Sequence, residues 1–118
     1  MRTEITFKGK VPGMNGADGL IRMHWRKRNK LRDQYVWLVK ELTKNRHPGP
    51  VKLTLTRYSS GVAMDYSNLV STGKLTVDSL VIAKVIIDDK DSIIQKQEYF
   101  QVKCKKDEQK TVIVIEDI

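Results

Sequence analysis

The sequence predicts a mixed α/β fold, α+β in the arrangement of its parts: a small domain with a mixed β-sheet and two main helices. Three observations carry this expectation. Polar and apolar residues alternate in short runs near both ends and in the middle of the chain, the period of a half-buried strand. Two intervening segments instead space their apolar residues three and four apart, the period of a helix. Clusters of Pro, Gly, Asn, Asp and Ser separate these runs. With 118 residues, 40% of them hydrophobic and 31% charged, the chain fits one domain, 1–118, with a modest core that oligomerisation can complete.

The first strand runs from Thr3 to Lys8, with Ile5 and Phe7 on one face and Glu4, Thr6 and Lys8 on the other. Pro12, Gly13, Asn15, Gly16, Asp18 and Gly19 then make a loop. A helix follows from about Arg28, its stripe formed by Leu31, Tyr35, Leu38 and Leu42 with Val39 beside them, and Pro48-Gly49-Pro50 closes the segment. Val51, Leu53 and Leu55 alternate with Lys52, Thr54 and Thr56 in a strand ending near Tyr58. Asp65, Ser67 and Asn68 are good caps for a second helix, whose apolar positions from Leu69 to Val81 carry it to about Ala83. Two strand-like runs, about Gln95 to Cys104 and Thr111 to Ile115, complete the order, and Lys105 to Lys110 between them reads as a charged hairpin turn.

Twenty-two Lys and Arg against fourteen Asp and Glu give a formal charge of +8, which favours a polyanionic partner. Arg22, His24, Arg26, Lys27, Arg28, Lys30 and Arg32 crowd into one short segment. Read as a solvated face, such a cluster is ordinary; its density together with the net charge points to phosphate contacts. No apolar run approaches the roughly 20 residues of a membrane helix, and the first residues lack the apolar core of a signal peptide, so a cytoplasmic protein without membrane contact is expected. One cysteine, Cys104, precludes an internal disulfide, and with His24 and His47 it cannot complete a Cys/His zinc site. The glycines of residues 13–19 have the wrong spacing for a dinucleotide fingerprint. Gly73-Lys74 lacks the first glycine and the hydroxyl residue of a P-loop, so no nucleotide cofactor is expected.

Against this basic background, Asp65, Asp78, Asp88, Asp89 and Asp91 gather in the middle of the chain. Between Asp65 and Asp88-Asp89 there is room for one helix and a return, an arrangement that can bring them together. Lys74 and Asp78 lie one helical turn apart on a shared face. Converging carboxylates repel one another unless a cation intervenes, and Mg²⁺ or Mn²⁺ suits such hard oxygen ligands. The bland readings are helix caps for Asp65, Ser67 and Asn68, turn acids for Asp88, Asp89 and Asp91, and an intrahelical ion pair for Lys74 and Asp78. Trp25 and Tyr66 read as packed aromatics with base stacking as the alternative, and Trp37, off the apolar stripe, reads as a contact for another part of the fold or a second subunit.

The combined spacing Asp65-x-x-Asn68-Leu69, then Lys74 and Asp78, then a hydrophobic stretch ending in Asp88-Asp89, resembles the RusA family of Holliday-junction resolvases, of phage or prophage type. The resemblance implies a homodimer that acts on branched DNA, four-way junctions, by metal-dependent phosphodiester hydrolysis. It implies Asp65, Lys74 and Asp89 as catalytic residues, Asp65, Asp88 and Asp89 as ligands of Mg²⁺ or Mn²⁺, with Asp78 and Ser67 as further candidates. DNA contacts are expected at Arg22, Arg26, Lys27, Arg28, Lys30, Asn68 and Lys74. Two departures stand out. Three residues are inserted between Asn68 and Lys74 relative to the shortest family members, and Ser67 replaces a family aspartate. A neutral hydroxyl is a weaker ligand, so a weakened nuclease and a junction-binding protein that does not cut are both open. A third reading is an assembly factor in which metal serves stability alone.

Overall fold

The computed structural model describes residues 1–15 and 19–118; Gly16 and Asp18 of the expected loop lie outside the described residues. The order is β1 (Arg2–Lys8), α1 (Trp25–Leu42), β2 (Val51–Ser59), α2 (Tyr66–Ser71), α3 (Gly73–Ile82), β3 (Ile94–Lys103), a 3-10 turn (Lys106–Glu108) and β4 (Lys110–Asp117). The four strands form one mixed sheet in the order β1-β4-β2-β3, with β4 antiparallel to both β1 and β2, and β3 parallel to β2. This is the expected mixed α/β class.

Alternation decides which face is buried. Val51, Leu53 and Leu55 of β2, Ile113 and Ile115 of β4, and Ile5 and Phe7 of β1 are fully buried on one face. There they meet Val39 of α1, Leu69 of α2 and Leu80 of α3, joined by Val85 and Ile86. Thr6, Thr54, Val112 and Val114 on the other face are only partly covered, so the helices lie on one side of the sheet. Each fully buried aliphatic side chain contributes about 1.5–3 kcal/mol, whereas a surface pair such as Lys52 with Glu98, 2.9 Å apart, is screened by water and adds little. The core row sets the register.

The helices depart from expectation in three places. α1 starts at Trp25, three residues before Arg28, because His24 Nδ1 accepts the Arg26 N–H at 3.2 Å and supplies a cap. It ends at Leu42, well before Pro48, and its buried residues are Val36 and Val39, while Leu42 at the end of the expected stripe is 53% exposed. The expected second helix is two helices, α2 and α3, separated at Thr72, whose hydroxyl donates to the Leu69 carbonyl at 2.6 Å. α3 stops in a Schellman arrangement: the Lys84 N–H reaches the Val81 carbonyl, the Val85 N–H reaches the Leu80 carbonyl, and Lys84 takes φ of 66°. Glycine usually fills that left-handed position, so the sequence carries no obvious stop signal there.

The largest correction concerns the segment Lys105 to Lys110. It is no hairpin, because β3 and β4 do not pair; they flank β2 on opposite sides. The connection crosses the end of β2, where Cys104 N–H donates to the Ser59 carbonyl and the Ser59 and Ser60 hydroxyls donate to Gln109 Oε1. A charged, polar run supplies the same composition for either path.

Both ends of the chain meet at a buried imidazole. His47 Nδ1 lies 2.6 Å from Asp117 Oδ1, and Nε2 lies 2.8 Å from Thr3 Oγ1, which also accepts from Asn45 Nδ2 at 3.0 Å. His47 thus bridges Thr3 near the start of β1 to Asp117 at the end of β4. The hydrogen bond from His47, then the one from the Met1 amino group, holds the Asp117 carboxyl below its usual range. A depressed folded-state pKa means stability that is fully present above the unfolded carboxylate value of about 4 and lost as pH falls through the folded value. Thermal melts from pH 5 downward are therefore expected to fall less steeply for Asp117→Asn than for the wild type, with the two curves closest at the acid end.

Candidate nucleic-acid interface

The loop after β1 is built by hydrogen bonds on both sides. Gly9 N–H donates to the Gln109 carbonyl at 2.9 Å, and Leu20 N–H donates to the Gly13 carbonyl at 2.9 Å. Met14 N–H donates to Ser71 Oγ at 2.9 Å and Asn15 N–H to Asn68 Oδ1 at 3.2 Å, which fastens the loop to α2. Gly13 permits that approach: a Cβ there would lie 2.4 Å from Asn68 Oδ1 and 2.9 Å from Ser71 Oγ. Asp65 completes the unit as the N-cap of α2, its Oδ2 accepting the Asn68 N–H at 3.2 Å. Asn68, expected at the DNA, is half-buried and holds the loop.

Between this loop and the start of α1 lies a cleft of about 630 Å³. Lys10, Arg22, His24, Lys27 and Arg57 line it, and no acidic side chain does so among the described residues. Its apolar wall is formed by Val11, Met23, Leu31 and Met64. The charge is placed against local preference. The first turn of α1 has no acid and carries Arg26, Lys27 and Arg28 at the positive end of the helix dipole, where each cation is disfavoured by about 0.3–1 kcal/mol. An anion in the cleft reverses that penalty.

The remaining cations of the segment divide. Arg28 turns inward and donates from Nη2 to the Leu20 carbonyl at 3.0 Å, bracing the cleft. Arg26 lies over the Trp25 ring, 5.3 Å from its centroid, and Lys30 is exposed. Trp25 and Tyr66 are 60% and 63% exposed, contrary to the packed reading. Trp37 is 69% exposed.

The acids do not form one centre within the chain. Met64, next to Asp65, exchanges hydrogen bonds with Gln101 near the far end of β3, whereas Asp88-Asp89 precede Ile94 at its beginning. The rise from Ile94 to Gln101 is about 23 Å of strand, which places the two acidic segments towards opposite ends of β3. Among the described residues no three His, Cys, Asp or Glu side chains converge closely enough to hold a metal ion. Asp78 and Asp89 do share a smaller cavity of about 210 Å³, with Arg32 in its wall. Asp88 accepts the Asp89 N–H at 2.7 Å, which lowers its pKa. Lys74, in the first turn of α3, and Ser67, in the first turn of α2, are exposed.

Sequence reasoning missed Lys10, Arg57 and the Arg32–acid cavity. Arg57 left a trace, since it occupies the next core-side position after Val51, Leu53 and Leu55. Lys10 left none. The Thr3–His47–Asp117 chain has the order of a hydroxyl–imidazole–carboxylate triad, but Thr3 and His47 are buried, so it clamps the strands and offers no nucleophile.

No protein-family model and no curated protein sequence matches the chain. No helix of the described residues is long and apolar enough to cross a membrane.

Gly13→Ala is expected to force the loop off α2 and to cost about 1–3 kcal/mol, the range for overpacking. Denaturant unfolding measures the loss, and faster amide exchange at Met14 and Asn15 locates it.

Proposed function

We propose that this chain is a branched-DNA-binding protein of the RusA type, acting as a homodimer in the cytoplasm of a bacterial or phage-infected cell, with the cationic cleft as its phosphate-binding surface. One observation carries the reading. The segment Asp65 to Leu69, which holds the RusA-like spacing, also fastens the loop that walls the cleft, through Asn68 to Asn15. The motif and the concentrated positive charge belong to one surface. The homodimer rests on the resemblance, and Trp37, Ile82 and Ile87 are exposed apolar side chains that a second copy could cover.

A second reading, metal-dependent cleavage of four-way junctions, is favoured by the exposed carboxylates of Asp65 and Asp89. A bound Mg²⁺ or Mn²⁺ would supply Lewis-acid chemistry and an activated water. Among the described residues no three acidic or imidazole side chains of one chain converge on an ion, and joint coordination needs oxygens near 2.1 Å. In such a centre Asp65, Asp88 and Asp89 would hold the ion and Lys74 would contact the phosphate. Ser67 leaves the Asp65 side one carboxylate short.

Wild type and Ser67→Asp, incubated with a labelled four-way junction or linear duplex, test both readings. The wild type is expected to bind the junction at least about tenfold tighter than the duplex without metal, a gap of about 1.4 kcal/mol. Ser67→Asp is expected to raise junction cleavage in Mg²⁺ or Mn²⁺ by about tenfold or more, the scale of one charged ligand. Equal affinity for junction and duplex removes the branched-DNA reading. Absence of cleavage by both proteins removes the nuclease and leaves the binder.

A further inference from the structure

Arg57 sits where the core pattern of β2 calls for an apolar residue. Val51, Leu53 and Leu55 point to the helix side, and Arg57 follows at the same parity. Its neighbours across the sheet are Thr111 of β4 and Gln101 of β3. Gln101 is engaged with the Met64 backbone. Arg57 Nη1 is buried and has no hydrogen-bond partner among the described residues, and the adjacent Thr111 hydroxyl is likewise buried without one. A guanidinium is always charged, so a buried N–H of this kind is a donor awaiting an acceptor.

What the acceptor is follows from the surroundings. The cleft above Arg57 is lined by Lys10, Arg22, His24 and Lys27, and by no carboxylate among the described residues. Phosphate matches a guanidinium fork better than a lysine point charge does. Beside the cations, Val11, Met23, Leu31 and Met64 offer an apolar wall, and at the rim His24 stacks on the exposed Trp25 with ring centroids 5.7 Å apart. A volume of about 630 Å³ falls in the range of small-ligand pockets. It suits one nucleotide better than a duplex, whose bases are stacked and paired away from such a cleft.

We propose that the cleft seats one unpaired nucleotide of a DNA strand, with its phosphate anchored by Arg57 and its base against the apolar wall. This deepens the branched-DNA reading and rests on it for the source of the strand, since branch points expose unpaired nucleotides. Lys10 and Lys27 close over the phosphate from the mouth, while Arg57 holds it from the floor. Desolvation already disfavours the charge on Arg57 and lowers its pKa, so a bound anion restores what burial takes away.

Fluorescence anisotropy with a labelled single-stranded oligonucleotide and a labelled four-way junction tests the site in Arg57→Gln, Arg57→Lys and the control Lys96→Ala, an exposed lysine paired with Lys52 at the other end of β2. Arg57→Gln is expected to weaken single-strand binding about tenfold or more and to reduce the slope of log affinity on log salt by about 0.7, one contact on a single strand. Arg57→Lys keeps the slope and loses affinity, and Lys96→Ala stays within about twofold of the wild type, since one remote charge contributes only through a screened field. A measurement on the wild type covers the case in which Arg57→Gln does not fold: the Arg57 guanidinium resonances are expected to shift on titration with the oligonucleotide. Unmoved resonances at saturation overturn the site, as does Arg57→Gln binding like the wild type; a retained junction preference would then leave the branched-DNA reading standing. Arg57-dependent single-strand binding without junction preference supports the site while removing that reading. Arg57-dependent binding of thymidine monophosphate or inorganic phosphate, with no oligonucleotide binding, overturns the strand as source and assigns the pocket to a free ligand.

Discussion

The parallel pairing of β2 with β3 is the constraint on which the rest of the architecture hangs. Parallel neighbours cannot be joined by a tight turn, so the chain leaving Ser59 has to travel back along the whole length of the sheet before Ile94 begins β3. α2 and α3 are that return path, and their apolar residues Leu69 and Leu80 cover the strand row they pass over. The same geometry forces the later connection to step across the end of β2, because β4 has to reach the side that β3 leaves free. Composition could not distinguish that crossing from a hairpin; only the order of the strands does.

The return path also distributes the chemistry. Asp65 stands where the crossover begins and Asp88-Asp89 where it ends, towards opposite ends of β3. Asp78, midway, shares a cavity with Asp89 and Arg32. At the opposite end the loop after β1 is tied to the first turns of α2, and α1 starts beside it. Cations from three separate segments are thereby brought around a single cleft.

Several local rules are broken in that one place. Cations occupy the positive end of α1, histidine serves as a helix cap, and arginine takes a core-side position in the central strand with a donor left unpaired. Each carries a modest cost alone, and none is needed to close the fold. Such departures collect at functional sites, where a bound group supplies what the protein withholds. An anion in the cleft would offset the first and the third.

The amino-acid sequence alone determined the mixed α/β class, the strand-like runs, the basic segment, the Asp65 cap and the RusA-like spacing, because period and capping are local properties that neighbouring residues express directly. Even so, the start of α1 depended on a histidine cap outside the usual choices, and the division of the second helix turned on the Thr72 hydroxyl. Tertiary structure decided which distant residues share a surface. Asn68, read as a DNA contact, became the fastening of the loop; Trp25 and Tyr66, read as packed, became exposed; and Lys10 and Arg57, unnoticed in their own segments, joined the cationic cleft. Strand order and loop docking bring together residues tens of positions apart, and no periodicity within a single segment records that meeting.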